Sequence, residues 1–401
     1  MKTILIVVDN IFPGDVRVDK ELNDLDQYFK VIVLCRQKGK GNNSNVEVIE
    51  VPLIRFKIIR AISDTFNAIF WIHLPLFVAL IRIKLTRKVD LVHVHDLPLF
   101  QTVCLLLKNK LKVLDLHENY PEALRSWFER RRNIIIRIKN NLLFTFNRWK
   151  LYEQRMVLKA DFIIAVVDEM ANKLITENAV EKKITIINNF EFKSFVKFNC
   201  AQAYERFLPE IETSLLYVGN YGPHRGLDDV IKSLKHLNLS NQNLKFVIAG
   251  VPNNNDTYLW LNALISELGL GMRVKFIGKI PFHCYNFLLS NAFINIIPHK
   301  SNGHTENTIP HKLFQAFLAR RPLIVSSCAP LKRFVLRFEC GAVFQANNPL
   351  HLATVIDDVC LNYAHYLSQS DNAFHACYYG PYNWDQEAHK LPALYRQLLQ
   401  S

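Results

Sequence analysis

Short β-branched apolar runs alternate with helical patterns along the 401 residues, and this alternation constrains the fold more than any other feature. The runs TILIVV (3–8), KVIVLC (30–35), LVHVH (91–95), KVLDLH (112–117), DFIIAVV (161–167) and ITIIN (184–188) form a first series, with helix patterns at Val18–Tyr28 and Leu99–Leu107 between them. After Phe190 the pattern lapses through Glu191–Thr213 and reads as a connection. A second series follows: SLLYVG (214–219), KFVIAG (245–250), VKFIG (274–278), FINIIP (293–298), PLIVSS (322–327) and AVFQ (342–345), again separated by helical stretches. An amphipathic helix over about Trp384–Leu399 closes the chain. Apolar strands buried on both faces and joined by helices predict parallel sheets, hence two doubly wound α/β domains. Ligands of such sheets bind at the carboxyl ends of the strands, and with two domains the expected site is a cleft between them.

Composition removes several classes. Half of the residues are hydrophobic and only 21% are charged, which excludes a disordered chain. Eight cysteines lie scattered with no C-x-x-C spacing, so there is no zinc or redox signature, and a reducing cytoplasm is the expected setting. The opening MKTILIVVDN turns acidic at Asp9 and reads as a core strand rather than a leader.

The net charge of +13 is uneven: residues 1–200 carry 32 Lys and Arg against 22 Asp and Glu, and 201–401 carry 17 against 14. The excess points to an anionic partner. It gathers in Arg125–Lys150, RSWFERRRNIIIRIKNNLLFTFNRWK, which has eight cations, one acid and interleaved aromatics. That composition fits a helix on an anionic bilayer as well as a solvated basic face over a core stripe. Phe66–Ile81, the longest apolar run, has 16 residues and contains Pro75. It is short for a membrane span, which stays the lesser reading, and reads as a buried or interfacial helix. No nucleic-acid motif or stacking platform is present, so nucleic acid is not an expected partner.

Polar residues collect where the strands end. After the first strand, Gly14 allows close backbone approach, and the helix that follows offers free N–H groups to an anion. The loop is not G-x-G-x-x-G, which argues against a nicotinamide cofactor. The next clusters are HDL, with His95 and Asp96, and DLHENYPE, with His117 and Glu118. Histidine beside carboxylates suits a sugar hydroxyl or a developing charge. In the second series Gly219, Asn220, Gly222, His224, Arg225 and Gly226 make a small-residue loop with one Arg, suited to a pyrophosphate. The last cluster, 299–327, places Lys312 and Gln315 near the start of a helix, where an anion is favoured and Gln315 can bond ribose or base.

With these motifs in order, the chain resembles the family 4, or group 1, glycosyltransferases of GT-B fold. GDVRVDKEL, DLHENYPE, LYEQRMVLKADFIIAVVDEM, IINNFEF, YVGNYGPHRGLDDVI, FVIAG, VKFIGKI, IPHKLFQAFLARRPLIVSS and YNWDQEAHKLPALYRQLL carry the resemblance. It implies two Rossmann-like domains: 1–195 for the acceptor and 206–380 for the nucleotide sugar. Residues 381–401 would form a helix packing back on the first domain. It also implies a retaining, metal-independent sugar transfer from a UDP- or GDP-linked donor, with no other cofactor, to a glycan or lipid-linked acceptor in surface polysaccharide synthesis. The setting would be cytoplasmic, at the inner face of the membrane, with 125–150 on the bilayer.

By motif match His117 and Arg225 are the catalytic residues. Gly14, Gly219, Asn220, Arg225, Glu306, Asn307, Lys312 and Gln315 would hold the donor; His95, Asp96 and Glu118 would stand on the acceptor side. No metal ligands are expected. The family commonly has two Glu seven residues apart; here Asn307 and Gln315 take those positions, with Glu306 adjacent. Asn220 replaces a frequent Arg, and Arg320 stands where Gly is usual. These neutral replacements also fit a non-catalytic GT-B scaffold or partner subunit.

Overall fold

The computed structural model describes residues 1–39, 46–128, 145–178, 183–200, 204–250 and 256–400. Most of Arg125–Lys150, the expected bilayer segment, lies outside the described residues. The chain divides into two compact units, Met1–Asn188 with Ala388–Ser401, and Asn189–Glu387.

The first unit is built on a seven-stranded sheet. Its strands are β1 (Thr3–Phe12), β2 (Lys30–Lys38), β3 (Val46–Glu50), β4 (Leu91–His95), β5 (Leu111–Leu116), β6 (Phe162–Ala165) and β7 (Ile184–Ile186). They run in the order β3-β2-β1-β4-β5-β6-β7, every pair parallel. The order reverses between β1 and β4, which makes the carboxyl ends of these two strands the switch point. β3 was not anticipated, because VEVIE is short and only partly buried.

The second unit has a six-stranded sheet of β8 (Ser214–Val218), β9 (Lys245–Gly250), β10 (Val274–Lys279), β11 (Ile294–Ile297), β12 (Leu323–Ser326) and β13 (Ala342–Phe344). The order is β10-β9-β8-β11-β12-β13, again parallel, with its switch point between β8 and β11. A core of Leu215, Tyr217, Phe246, Ile248, Ile294, Ile324 and Phe344 packs against the flanking helices. The two sheets reproduce the expected doubly wound class twice over.

The unit boundaries differ from those read in the sequence. Residues 189–200 belong to the second unit because they carry buried aromatics: Phe190 packs edge-on against Phe314 and Phe334, and Phe195 lies near Phe282. Cys200 and Cys284 form a disulfide, a pairing that the scattered cysteine spacing did not reveal. The final helix, Lys390–Gln400, belongs to the first unit, where Tyr395 is fully buried with its ring 5.8 Å from that of Phe29.

The apolar run 66–81 is not one helix. α1 (Val16–Leu25) follows β1, and two further helices, α2 (Lys57–Phe70) and α3 (Leu74–Thr86), share the run and bend by 83°. The break is local: Trp71 caps α2 at a left-handed φ of 60°, and Pro75 starts α3, where a missing N–H costs nothing. His73 Nδ1 accepts from Leu76 N at 3.1 Å and caps the new helix. Among the described residues no single helix is long and apolar enough to cross a membrane.

Candidate functional site

Each unit gathers titratable residues at its own switch point, and each set is described by itself. In the first unit the strand period of two decides which side chains meet. His93 and His95 lie on one side of β4; Asp115 and His117 lie on one side of β5. Arg17 and Glu21, four residues apart on α1, face the same place. None of Arg17, Glu21, His93 or Asp115 stood among the residues picked from sequence. The i,i+2 and i,i+4 spacings were visible, but not that they converge.

Asp115 is the hub. Its carboxylate accepts from Arg17 Nη2 at 3.1 and 3.2 Å and lies 3.2 Å from His117 Nε2 and 3.4 Å from His93 Nε2. Arg17 Nε also approaches Glu21 Oε1 at 2.9 Å, an ion pair whose angle falls short of a hydrogen bond. Burial alone would push the pKa of Asp115 up, but Arg17 and then His117 outweigh it and hold the carboxyl well below its usual range. Glu21 goes the other way: burial raises it more than Arg17 lowers it. His95 is driven well down by burial and by the neighbouring His93 and His117, so it is neutral. His117 also suffers burial, but Asp115 and Asp96 outweigh that and raise it to about 9.

The result is one imidazolium, 17% exposed, beside a neutral His95 whose Nδ1 stands 3.0 Å from His117 Nε2. Asp96 is held at a left-handed φ of 63°, its carboxylate accepting from His117 N at 3.2 Å. Such a conformation costs about 1–2 kcal/mol and is typical of functional sites. Glu118 follows, half-buried. Glu21, His93, His95 and Asp115 bring possible metal-ligand atoms within 4.8 Å of one another, but both carboxylates already face the cation of Arg17.

At Gly14 the structure shows the N–H groups of the loop and helix start taken by side chains. Its N–H donates to Asp19 at 2.9 Å, and Asp15 accepts from Arg17 N and Val18 N at 3.1 and 3.4 Å. The helix start is filled by its own capping carboxylates, so these N–H groups are not free for a phosphate.

In the second unit the loops after β8 and β11 meet. Gly219 has a φ of +143°, and a Cβ there would lie 2.4 Å from Lys312 Nζ. At Gly226, φ +69°, a Cβ would strike Pro298 O at 1.7 Å. Only glycine lets the two loops close together. They bring Arg225, Lys312, His224, His299 and His304 into one cluster. Arg225 Nη1 stands 3.0 Å from His299 Nε2, which accepts as a neutral ring. Lys312 Nζ donates to Tyr217 OH at 2.6 Å and lies over that ring. Among the described residues neither cation forms an ion pair.

The electrostatics follow. Burial, then Arg225, holds Lys312 well below its ordinary value. Burial and Arg225 push His304 down to about 4, and they hold His224 and His299 far below the usual histidine range. Both ring nitrogens of His224 and the Nε of Arg225 are buried without a hydrogen-bond partner. Among the described residues the cluster gathers donors around the charge of Arg225 with no carboxylate of its own.

The remaining expected donor residues are placed differently. Gln315 is 3% exposed and donates to Glu191 Oε2 at 2.9 Å; His311 lies 3.1 Å from the same oxygen. Its amide is turned into the unit, because the unforeseen buried carboxylate Glu191 needs donors. Glu306 accepts from Ala329 N at 2.8 Å and from Ser301 Oγ, capping the helix Ala329–Phe338. Asn307 donates to Gly303 O at 2.8 Å. Asn220 is exposed, its carbonyl bound by Tyr217 OH at 2.7 Å. Arg320, where glycine is usual in the resembled family, keeps a left-handed φ of 54° and pairs with Asp371 at 2.7 Å.

Two parallel doubly wound units, each with polar residues at its switch point, define a chain of GT-B fold. The family model of glycosyl transferases group 1 matches residues 204–375, and that of glycosyltransferase family 4 matches 21–190. The chain belongs to the group 1, family 4 glycosyltransferases. No curated protein matches it by sequence. It is similar in structure to a sucrose-phosphate synthase from Thermosynechococcus elongatus, at 15% identity with both chains fully covered and a TM-score of 0.76. It is also similar to HepE of Anabaena in complex with UDP and glucose, at 12% identity, 99% and 100% coverage and 0.72. WaaG, a glycosyltransferase involved in lipopolysaccharide biosynthesis, matches at 14% identity, 98% and 99% coverage and 0.67.

Proposed function

We propose that the chain transfers a sugar from a UDP- or GDP-linked donor, with retention at the anomeric carbon and without a bound metal ion. The acceptor is a glycan or lipid-linked precursor in surface polysaccharide synthesis. The observation that carries this reading is Arg225, held beside the buried Lys312 at the β8 and β11 loops with no carboxylate among the described residues to neutralise it; burial and Arg225 disfavour the charge of Lys312 until an anion arrives. A diphosphate supplies the missing negative charge. HepE, a chain of similar fold, is described as a complex with UDP and glucose, which supports a nucleotide sugar here.

In the proposed reaction the bond from the anomeric carbon to the diphosphate oxygen breaks, and its electron pair stays with the diphosphate. The acceptor oxygen bonds to the carbon on the same face, and the acceptor proton passes to the leaving phosphate. Charge grows on the diphosphate as the bond breaks. Preorganised cations stabilise that charge more than the ground state, and each such donor is worth about 2.7–4 kcal/mol in a dry site. His117, an imidazolium below about pH 9, donates to the transferred sugar.

We place the reaction in the cytoplasm at the inner membrane face, where the Cys200–Cys284 pair would stand as thiols. The test is a donor panel with purified protein. UDP- or GDP-sugars should stabilise it against heat and be turned over, and Arg225→Ala and His117→Ala should abolish turnover. Absence of stabilisation by every nucleotide sugar would reject the reading.

A further inference from the structure

We propose that α2 and α3 form a membrane-docking surface that lays the first unit on an anionic bilayer. α2 is amphipathic in the wrong sense for a soluble helix. At 100° per residue Ile58, Ile59, Ile62, Phe66, Ile69 and Phe70 fall within an arc of about 120°. This arc points to solvent: Ile58 is 77% exposed, and Ile59, Ile62, Ile69 and Phe70 are all exposed. The opposite edge faces the protein. Ser63 and Ala68 are the residues α2 buries, and Arg60, Ser63 and Asp64 line a cavity of about 250 Å³ with Arg36 and His73. Leu53 and Phe56, just before the helix, are 75% and 72% exposed.

α3 anchors the device. It buries Leu76, Ala79, Leu80 and Ile83 in the unit and leaves Val78, Ile81 and Leu85 outside. An exposed apolar surface of this extent marks an interaction site. Charge identifies its occupant. Residues 53–88 contain seven Lys or Arg against the single acid Asp64, and the cations Arg55, Lys57, Arg60, Arg82 and Lys88 are exposed. Apolar side chains rimmed by cations match the boundary of an anionic bilayer, with acyl chains beneath phosphate headgroups. A 14-residue helix is about 21 Å long, too short to cross a hydrocarbon core of about 30 Å, so α2 lies in the plane of the interface. Docking brings the cavity beside β2 and β3 to the headgroup level. This deepens the acceptor half of the proposed function, since a lipid-linked acceptor lives in that plane.

The test uses the full chain and no donor. Its failure is therefore separate from failure of the donor reading. Flotation is measured with phosphatidylcholine vesicles, with and without phosphatidylglycerol, at low and high salt. The wild type should float with the anionic vesicles and be released by salt. Ile58→Asp with Ile62→Asp should weaken binding at least about tenfold at an unchanged melting temperature, because both side chains are solvent-exposed. Lys57→Gln with Arg60→Gln should lose the preference for anionic over neutral vesicles. Absent binding, or equal binding by the Asp variant, overturns the proposal. A dimer that the Asp variant dissociates, with no vesicle binding, also overturns it and assigns the face to a second copy.

Discussion

Arg225→Ala separates binding from folding, because the structure predicts opposite consequences for the two. Arg225 stands among Lys312, His224, His299 and His304 and lowers the proton affinity of all four. Among the described residues its one hydrogen bond to a side chain is to His299. Removing it forfeits about 1 kcal/mol for that bond and relieves repulsion among the rest. The free protein should then melt within about 2 °C of wild type. Binding of a nucleoside diphosphate should suffer instead. A hydrogen bond to a charged group contributes about 1.5–3 kcal/mol, or about 10- to 100-fold in affinity.

Ligand at a hundred times the wild-type Kd stabilises by about 2.7 kcal/mol, which is about 5–10 °C for a unit of this size. A variant binding a hundredfold more weakly gains about 0.4 kcal/mol, or about 1 °C, at the same concentration. The assay is a thermal-shift titration of both proteins with the same nucleotide. If the free variant melts many degrees lower, Arg225 is structural. If the ligand shift survives intact, the cluster is not the diphosphate site. Either result refutes the reasoning.

Two further outcomes follow from the same geometry. His117, raised from 6.5 to about 9, contributes about 3 kcal/mol of stability that is fully present below pH 6.5 and lost as pH rises through about 9. The stability gap between wild type and His117→Gln, measured by thermal melts across pH 6–10, should close over that window, and the transfer rate should fall above about 9. Gly219→Ala would force a side chain into a φ of +143° with its Cβ 2.4 Å from Lys312 Nζ. It should cost about 1–2 kcal/mol and weaken donor binding by displacing Lys312, read by melting and by nucleotide titration.

The sequence reading succeeded where neighbours along the chain carry the signal. A short apolar run marks a strand wherever it lies, so both sheets were legible apart from β3, whereas helices such as Ala329–Phe338 and Pro349–Leu361 were not picked out. It failed where the deciding partner is distant. Asp115 lies 98 residues from Arg17, and Glu191 lies 124 residues from Gln315. Nothing in the local spacing says that the carboxylates would claim these donors. Gly14 shows a different limit: the cap residues Asp15 and Asp19 were in plain view, yet their acceptance from the N–H groups offered to a phosphate appeared only in the fold. The run 66–81 was read as one helix because its composition is continuously apolar, but the left-handed Trp71 and Pro75 divide it in two.

By itself the sequence determined the class of the chain: two parallel α/β units, with polar residues at the strand ends and an excess of cations in the first half. Those properties follow from period and composition, which are written locally. Only the tertiary structure decided which polar residues remain open to a ligand. Burial and long-range pairing set the charge of each group, so His117 carries a proton while His95 does not, and Arg225 disfavours the charge of its buried neighbour Lys312. Only the packed fold could show that α2 turns its polar edge inward and its isoleucines to the outside.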